Sequence, residues 1–127
     1  MKKQLIFLSV AVFLVSAYTV LQGGLAFPAQ SAQHVEVSFA QDIQPILQNR
    51  CGSCHTGKFV SQGLDMATYE SLMAGSEYGP VIVSGNAGDS LLVEKVTSGD
   101  MPKRGPKLTP DQIALIVDWI NAGAPDN

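Results

Sequence analysis

Cys51-Gly52-Ser53-Cys54-His55 constrains this chain more than any other stretch. Two thiols separated by two residues can reach one edge of a flat macrocycle when the backbone turns between them. The histidine directly behind them then projects toward the centre of the ring. This is the C-x-x-C-H pattern of covalent haem attachment, in which both cysteines add to porphyrin vinyl groups and the imidazole becomes an axial ligand of the iron. The chain has only 2 cysteines, so the motif takes both.

Three other readings compete for these residues. A structural disulfide or thioredoxin-like redox pair also uses C-x-x-C, but that motif opens a helix after a buried strand, whereas here the cysteines follow a predicted helix. Zinc needs about four ligands, and the only other histidine is His34, with no further cysteine. Chance is the third. The export signal and the downstream ligand described below favour haem.

With 127 residues, of which roughly 100 remain after export, the chain has room for one small domain. A covalently held haem would give so short a chain a large apolar body to close around, without a disulfide or structural metal. All 11 acidic side chains lie after Gln33, against six basic ones, Arg50, Lys58, Lys95, Lys103, Arg104 and Lys107, which is the total of 8 less Lys2 and Lys3. The mature part is therefore acidic by five charges, which argues against nucleic-acid binding.

The N-terminus reads as an export segment over residues 1–26. Lys2 and Lys3 form a positive n-region ahead of an apolar run from Leu5 to Leu21. Small-residue cleavage sites fall after Ala17 and after Ala26. The run is also near the lower limit for spanning a bilayer, so an uncleaved membrane anchor is the alternative. Either way the remainder lies outside the cytoplasmic membrane. Residues 27–37 form a linker without helical period, and His34 within it reads as a solvated tail histidine.

The domain spans residues 38–127. Ser38-Phe39-Ala40-Gln41 fits a capping box, and Phe39, Ile43, Ile46 and Leu47 make an apolar stripe leading to Cys51. Pro45 would kink a helix begun at Ser38, whereas a helix capped by Asp42 would put it in the tolerated first turn, so an irregular or bent helix ending near Arg50 is predicted. A glycine-containing loop follows His55. A short helix over 69–74 is capped by Thr68 and stopped by Gly75. Leu64, Met66, Leu72 and Met73 are expected against the porphyrin or the core, the two methionines as packing residues. Residues 75–88 read as turns around Val81-Ile82-Val83, and Asp89 or Ser90 caps a helix through Val96 that stops at Gly99. Prolines at 102 and 106 keep the next loop non-helical. The last helix is the best marked, with Thr109 at the N-cap, Pro110 at the first position, Gln112 closing a capping box and Gly123 at its end. Trp119 is expected against the first helix or the haem edge.

Met101, 46 residues after His55, is the candidate for the other face of the iron. Pro102 restricts its backbone, and a thioether paired with histidine raises the reduction potential. Tyr69, Tyr78 and Trp119 are candidate propionate partners, with packing the ordinary reading of each.

The stretch from residue 38 to about 125 resembles class I c-type cytochromes. It is most similar to the planctomycete-type cytochrome c domain, in Ile43-x-Pro45-Ile46-Leu47, Cys51-x-x-Cys54-His55, Gly63-Leu64-Asp65, Gly75, Ser90-Leu91-Leu92, Met101-Pro102, Leu108-Thr109 and Trp119-Ile120-x-x-Gly123-Ala124. The resemblance implies an all-α fold of three to five helices packed around one covalent haem c, with N- and C-terminal helices crossed. It implies thioether bonds at Cys51 and Cys54 and iron ligands at His55 and Met101. The expected role is one-electron transfer between extracytoplasmic redox partner proteins by a monomer, not enzymatic catalysis. Lys103, Arg104 and Lys107 form either a docking patch for an acidic partner or a solvated loop. A haem-based ligand sensor and a membrane-held subunit feeding electrons into a larger oxidoreductase are the alternatives.

Overall fold

The computed structural model describes residues 36–127. The export segment over 1–26, most of the 27–37 linker and His34 lie outside the described residues. Among the described residues, five α-helices occur and no strand, only an isolated antiparallel bridge between Ser76 and Gly79. The helices are α1 (Gln44–Arg50), α2 (Gly52–His55), α3 (Tyr69–Ala74), α4 (Leu91–Thr97) and α5 (Pro110–Asn121).

Pro45 is accommodated by a change of helix type. A π-helical turn, Phe39–Ile43, precedes α1, with Ile43 N–H reaching the Ser38 carbonyl at 3.2 Å and Gln44 N–H reaching that of Phe39. The wider turn takes up the register before the proline ring, which then stands in the tolerated first turn of α1. The predicted bend is thus a π-to-α junction, and the helix ends at Arg50 as expected. Half of the predicted capping box forms: Ser38 Oγ accepts from Gln41 N–H at 3.2 Å, but the Ser38 N–H donates to Asp42 Oδ2 at 2.9 Å. Phe39 and Ala40 N–H groups, orphaned at the start of the turn, donate to Asn127 Oδ1 and carbonyl oxygen at 2.8 and 3.0 Å. The C-terminal residue therefore caps the first element from the far end of the domain.

The π turn packs on α5, and α5 packs on α4. Trp119, fully buried, meets Phe39 with ring centroids 5.5 Å apart, and Phe39 meets Tyr69 edge-on at 5.2 Å. Such ring pairs contribute about 0.5–1.5 kcal/mol each beyond the area they bury. Trp119 Nε1 donates to the Pro125 carbonyl at 2.9 Å, and the Tyr69 hydroxyl donates to that of Ala124 at 2.8 Å. Both rings are thus structural, fastening the chain end to the core. α5 closes with a Schellman turn, Ala124 N–H to Trp119 O and Gly123 N–H to Ile120 O, both at 2.9 Å.

The predicted caps of α3 and α5 form in full, each with the reciprocal side-chain bond, from Ser71 and Gln112 respectively. Ser90 occupies the cap position of α4 but turns inward. Buried, it donates through Oγ to the Asn86 carbonyl at 2.8 Å and accepts from Val83 N–H at 2.9 Å, tying down the loop that precedes its helix.

Gly75 ends α3 with φ +84°, and a Cβ there would lie 2.6 Å from the Gly79 carbonyl oxygen and 2.8 Å from Pro80 Cα, both backbone atoms. Gly79 has φ +115° but open space around its missing Cβ. Gly75→Ala is therefore predicted to destabilise by about 2–4 kcal/mol and Gly79→Ala by about 1–2 kcal/mol, the difference being the clash. Guanidinium denaturation of both variants checks this, and equal losses would contradict it.

Candidate functional site

Arg50 ends α1, Cys51 joins it to α2, and the single turn of α2 delivers Cys54 and His55 to one wall of a cavity of about 530 Å³. That volume is in the range of small-molecule and cofactor sites. Cys51, Cys54, His55 and Met101, separated by up to 50 residues in sequence (101 minus 51), all line it. The floor is apolar, with Leu64, Met66, Val81, Leu92 and Val96 buried along it. The mouth carries exposed side chains, among them Cys54, Tyr78, Leu91, Lys103 and Arg104.

His55 is buried and held on two sides. Its Nδ1 stands 3.1 Å from the Leu64 carbonyl oxygen, and its own carbonyl accepts from Met66 N–H at 2.7 Å. A carbonyl can only accept, so Nδ1 carries a proton and donates it there, which leaves Nε2 as the nitrogen for a ligand. Nε2 makes no hydrogen bond among the described residues, and every fully buried side-chain nitrogen or oxygen does have a partner, so Nε2 keeps access to the cavity. A neutral imidazole with one nitrogen donating to a backbone carbonyl is the form in which histidine ligates a metal.

The cysteines are unequal. Cys51 is buried and Cys54 exposed, and neither is in a disulfide. Burial, reinforced by the nearby Cys54 charge, pushes the Cys51 thiol up to about 11. Cys51, buried and raised, is therefore not the kind of low-pKa thiol that attacks in a redox pair. A zinc site is equally unsuited, because no group of three or more His, Cys, Asp or Glu with metal-binding geometry occurs among the described residues.

Met101 is half-buried against the cavity on a loop fixed from two lysines. Its N–H donates to the Lys95 carbonyl at 3.0 Å, and Lys107 Nζ donates to the Pro102 carbonyl. Lys95 Nζ also pairs with Glu94 at 3.0 Å and Asp100 at 3.3 Å, across the end of α4. Met66 lines the same cavity from the floor, whereas Met73 packs on the core and does not reach it. Of the aromatic residues expected near the cofactor, Tyr69 and Trp119 are committed elsewhere. Tyr78, expected to pack, is 79% exposed at the mouth.

Several lining residues were not predicted from sequence. Arg50 directly precedes the first cysteine, which was the available signal for it. The Leu64 and Lys95 carbonyls carry no side-chain signal, because what they contribute is backbone. The residues present fit a covalent haem: two thiols at one wall, a free imidazole nitrogen, an apolar floor and a thioether on a separate loop.

In the haem-free chain, Cys54 is predicted to be alkylated first at pH 8, with Cys51 reacting only as pH rises toward 11. Because the folded Cys51 value lies above the ordinary 9.0, its contribution to stability is complete below pH 9 and is lost as pH rises through about 11. Peptide mapping after timed alkylation checks the order, and equal rates would contradict it.

Residues 51–105 match the family model of planctomycete cytochrome C, a span that opens at Cys51 and closes within the Met101 loop. No curated protein and no solved structure gave a significant match. The matched segment holds all four candidate site residues, Cys51, Cys54, His55 and Met101, and over it the chain is similar to planctomycete cytochrome C.

Proposed function

We propose that this chain is a monohaem c-type cytochrome that carries single electrons between partner proteins outside the cytoplasmic membrane, with His55 and Met101 as the two axial ligands. The observation that carries this reading is the convergence of Cys51, Cys54, His55 and Met101 on one apolar cavity. The haem supplies an iron centre that takes up and gives back one electron.

The chain's own residues supply the setting. Cys51 and Cys54 hold the group at the α1–α2 junction. Leu64 keeps the His55 ring in one tautomer, with Nε2 directed away from its carbonyl partner. The apolar floor excludes water and lowers the local dielectric, which tunes the potential. Met101 is preferred over Met66 because it stands on a loop of its own at the cavity, whereas the Met66 backbone is bonded to that of His55. The lysine-pinned loop brings Met101 from elsewhere. With both axial positions filled, electron transfer needs no acid, base or nucleophile.

Lys2, Lys3 and the apolar run to Leu21 support export. No described helix is long and apolar enough to cross a membrane. Fractionation and N-terminal sequencing should find the protein outside the cytoplasm, beginning after Ala17 or Ala26, or intact as an anchored chain. Recovery in the cytoplasm with the segment intact would contradict export.

Expressed with its export segment and a haem-attachment system, the protein should keep its haem after denaturation and show a low-spin spectrum unmoved by carbon monoxide. Met101→Ala should bind carbon monoxide and have a lower reduction potential, whereas Met66→Leu should behave as wild type. Carbon monoxide binding by the wild type would redirect the reading to a ligand sensor, and absence of covalent haem would overturn it.

A further inference from the structure

The segment that holds His55 is itself held from α1. The Leu64 carbonyl meets His55 Nδ1 at 3.1 Å, and Met66 N–H donates to the His55 carbonyl at 2.7 Å. The next residue, Ala67, has both backbone groups engaged: its N–H donates to Asp65 Oδ1 at 2.9 Å, and its carbonyl accepts from Gln44 Nε2 at 3.3 Å. Upstream, the carbonyl of Gln62 accepts from Glu77 N–H at 3.0 Å, at the left-handed pair Gln62 and Gly63. The segment is thus pinned on both sides, by Glu77 before Leu64 and by Gln44 after Met66. The Asp65 bond spans only two residues, so it turns the chain without fixing it relative to α1. Gln44 does that, through the only side-chain hydrogen bond that α1 makes among the described residues.

The π turn before α1 sets which residue takes this place. It spans one residue more than an α turn, which moves α1 onward by about 100° around its axis. Ile43, Ile46 and Leu47 then face the core, and Gln44 lies half-buried beside them, as Ala67 does opposite. We infer that Gln44 is a positioning residue for the iron ligand: through Ala67 it keeps the Leu64 carbonyl against His55 Nδ1, so the helix that delivers Cys51 also governs how strongly the imidazole is polarised. This rests on the electron-carrier reading above and assigns a residue to the tuning of its iron. A carbonyl held close to Nδ1–H draws on that proton and makes Nε2 the better electron donor, which favours ferric over ferrous iron. A segment released from Gln44 holds the carbonyl less firmly and does the reverse.

The test uses the exported, haem-loaded full chain and two variants. Gln44→Met keeps the length of the side chain and removes its donor, whereas Gln44→Lys keeps a donor. In Gln44→Met, hydrogen exchange at Met66 N–H should quicken roughly two- to tenfold, the range that loss of one hydrogen bond gives. Exchange at Ile116 N–H, buried in α5 and remote from the bond in sequence, should stay as in the wild type. The reduction potential of Gln44→Met should shift upward. Gln44→Lys should return both the Met66 exchange and the potential toward the wild-type values.

A potential unmoved in Gln44→Met would overturn the assignment, whatever the exchange rates do. So would acceleration at Ile116 equal to that at Met66, which would make Gln44 a contributor to overall stability alone, and so would a shift that Gln44→Lys shares in full, since the donor would then not matter. If no covalent haem forms, the carrier reading fails by itself, and Met66 exchange in the haem-free full chain still decides whether Gln44 holds the segment.

Discussion

The contact between His55 Nδ1 and the Leu64 carbonyl, 3.1 Å long, is the interaction on which the site depends. It fixes the tautomer, the ring plane and the nitrogen left for a metal. It also sets where the chain must run: residues 56–63 have to loop out and return so that Leu64 lies beside the ring and Met66 beside the histidine carbonyl. Gln62 and Gly63, at φ +57° and +68°, make that return within a short 3₁₀ turn, Ser61–Gly63. The arrangement lets a four-residue helix, too short to be stable alone, present its histidine in one orientation. The remaining helices serve this geometry. α1 ends where the first cysteine is needed, and α4 ends where its last carbonyls can hold the methionine loop.

Much of this was legible in the sequence, and what was legible was local. Thr68 with Ser71, and Thr109 with Gln112, are cap chemistries contained within four residues, so α3 and α5 fall where their caps predict. The C-x-x-C-H motif is equally local. What escaped were non-local solutions to local problems. Pro45 signalled a disturbance, but only the packing of Phe39 and Ile43 against α5 makes a π turn the answer in place of a kink. Ser90 was read as a cap, and its hydroxyl is drawn inward by carbonyl and amide groups of the preceding loop that only the fold brings near. Packing, the ordinary reading of Tyr69 and Trp119, is what the structure shows, but their acceptors at Ala124 and Pro125 carry no signal in the sequence.

The electrostatics show the same separation of scales. Composition gives an acidic chain, and a charge count alone would send an acidic partner away. Position departs from the total at the cavity, because α1, α4 and the Met101 loop each bring cationic residues to it. The lysines also divide their labour: Lys95 and Lys107 are bound within the Met101 loop and its neighbouring helix, and Lys103 lies free between them in sequence.

The most direct test of the account is to identify which methionine sits on the iron. The chain has 4 methionines, and in ferrous protein carrying ¹³C-methyl methionine a ligating thioether methyl is displaced far upfield by the porphyrin ring current. One such resonance, absent from Met101→Ala and retained in Met66→Leu, is the predicted result. An upfield resonance that belongs to Met66, or none at all, would contradict the proposed pairing of His55 with Met101 as ligands.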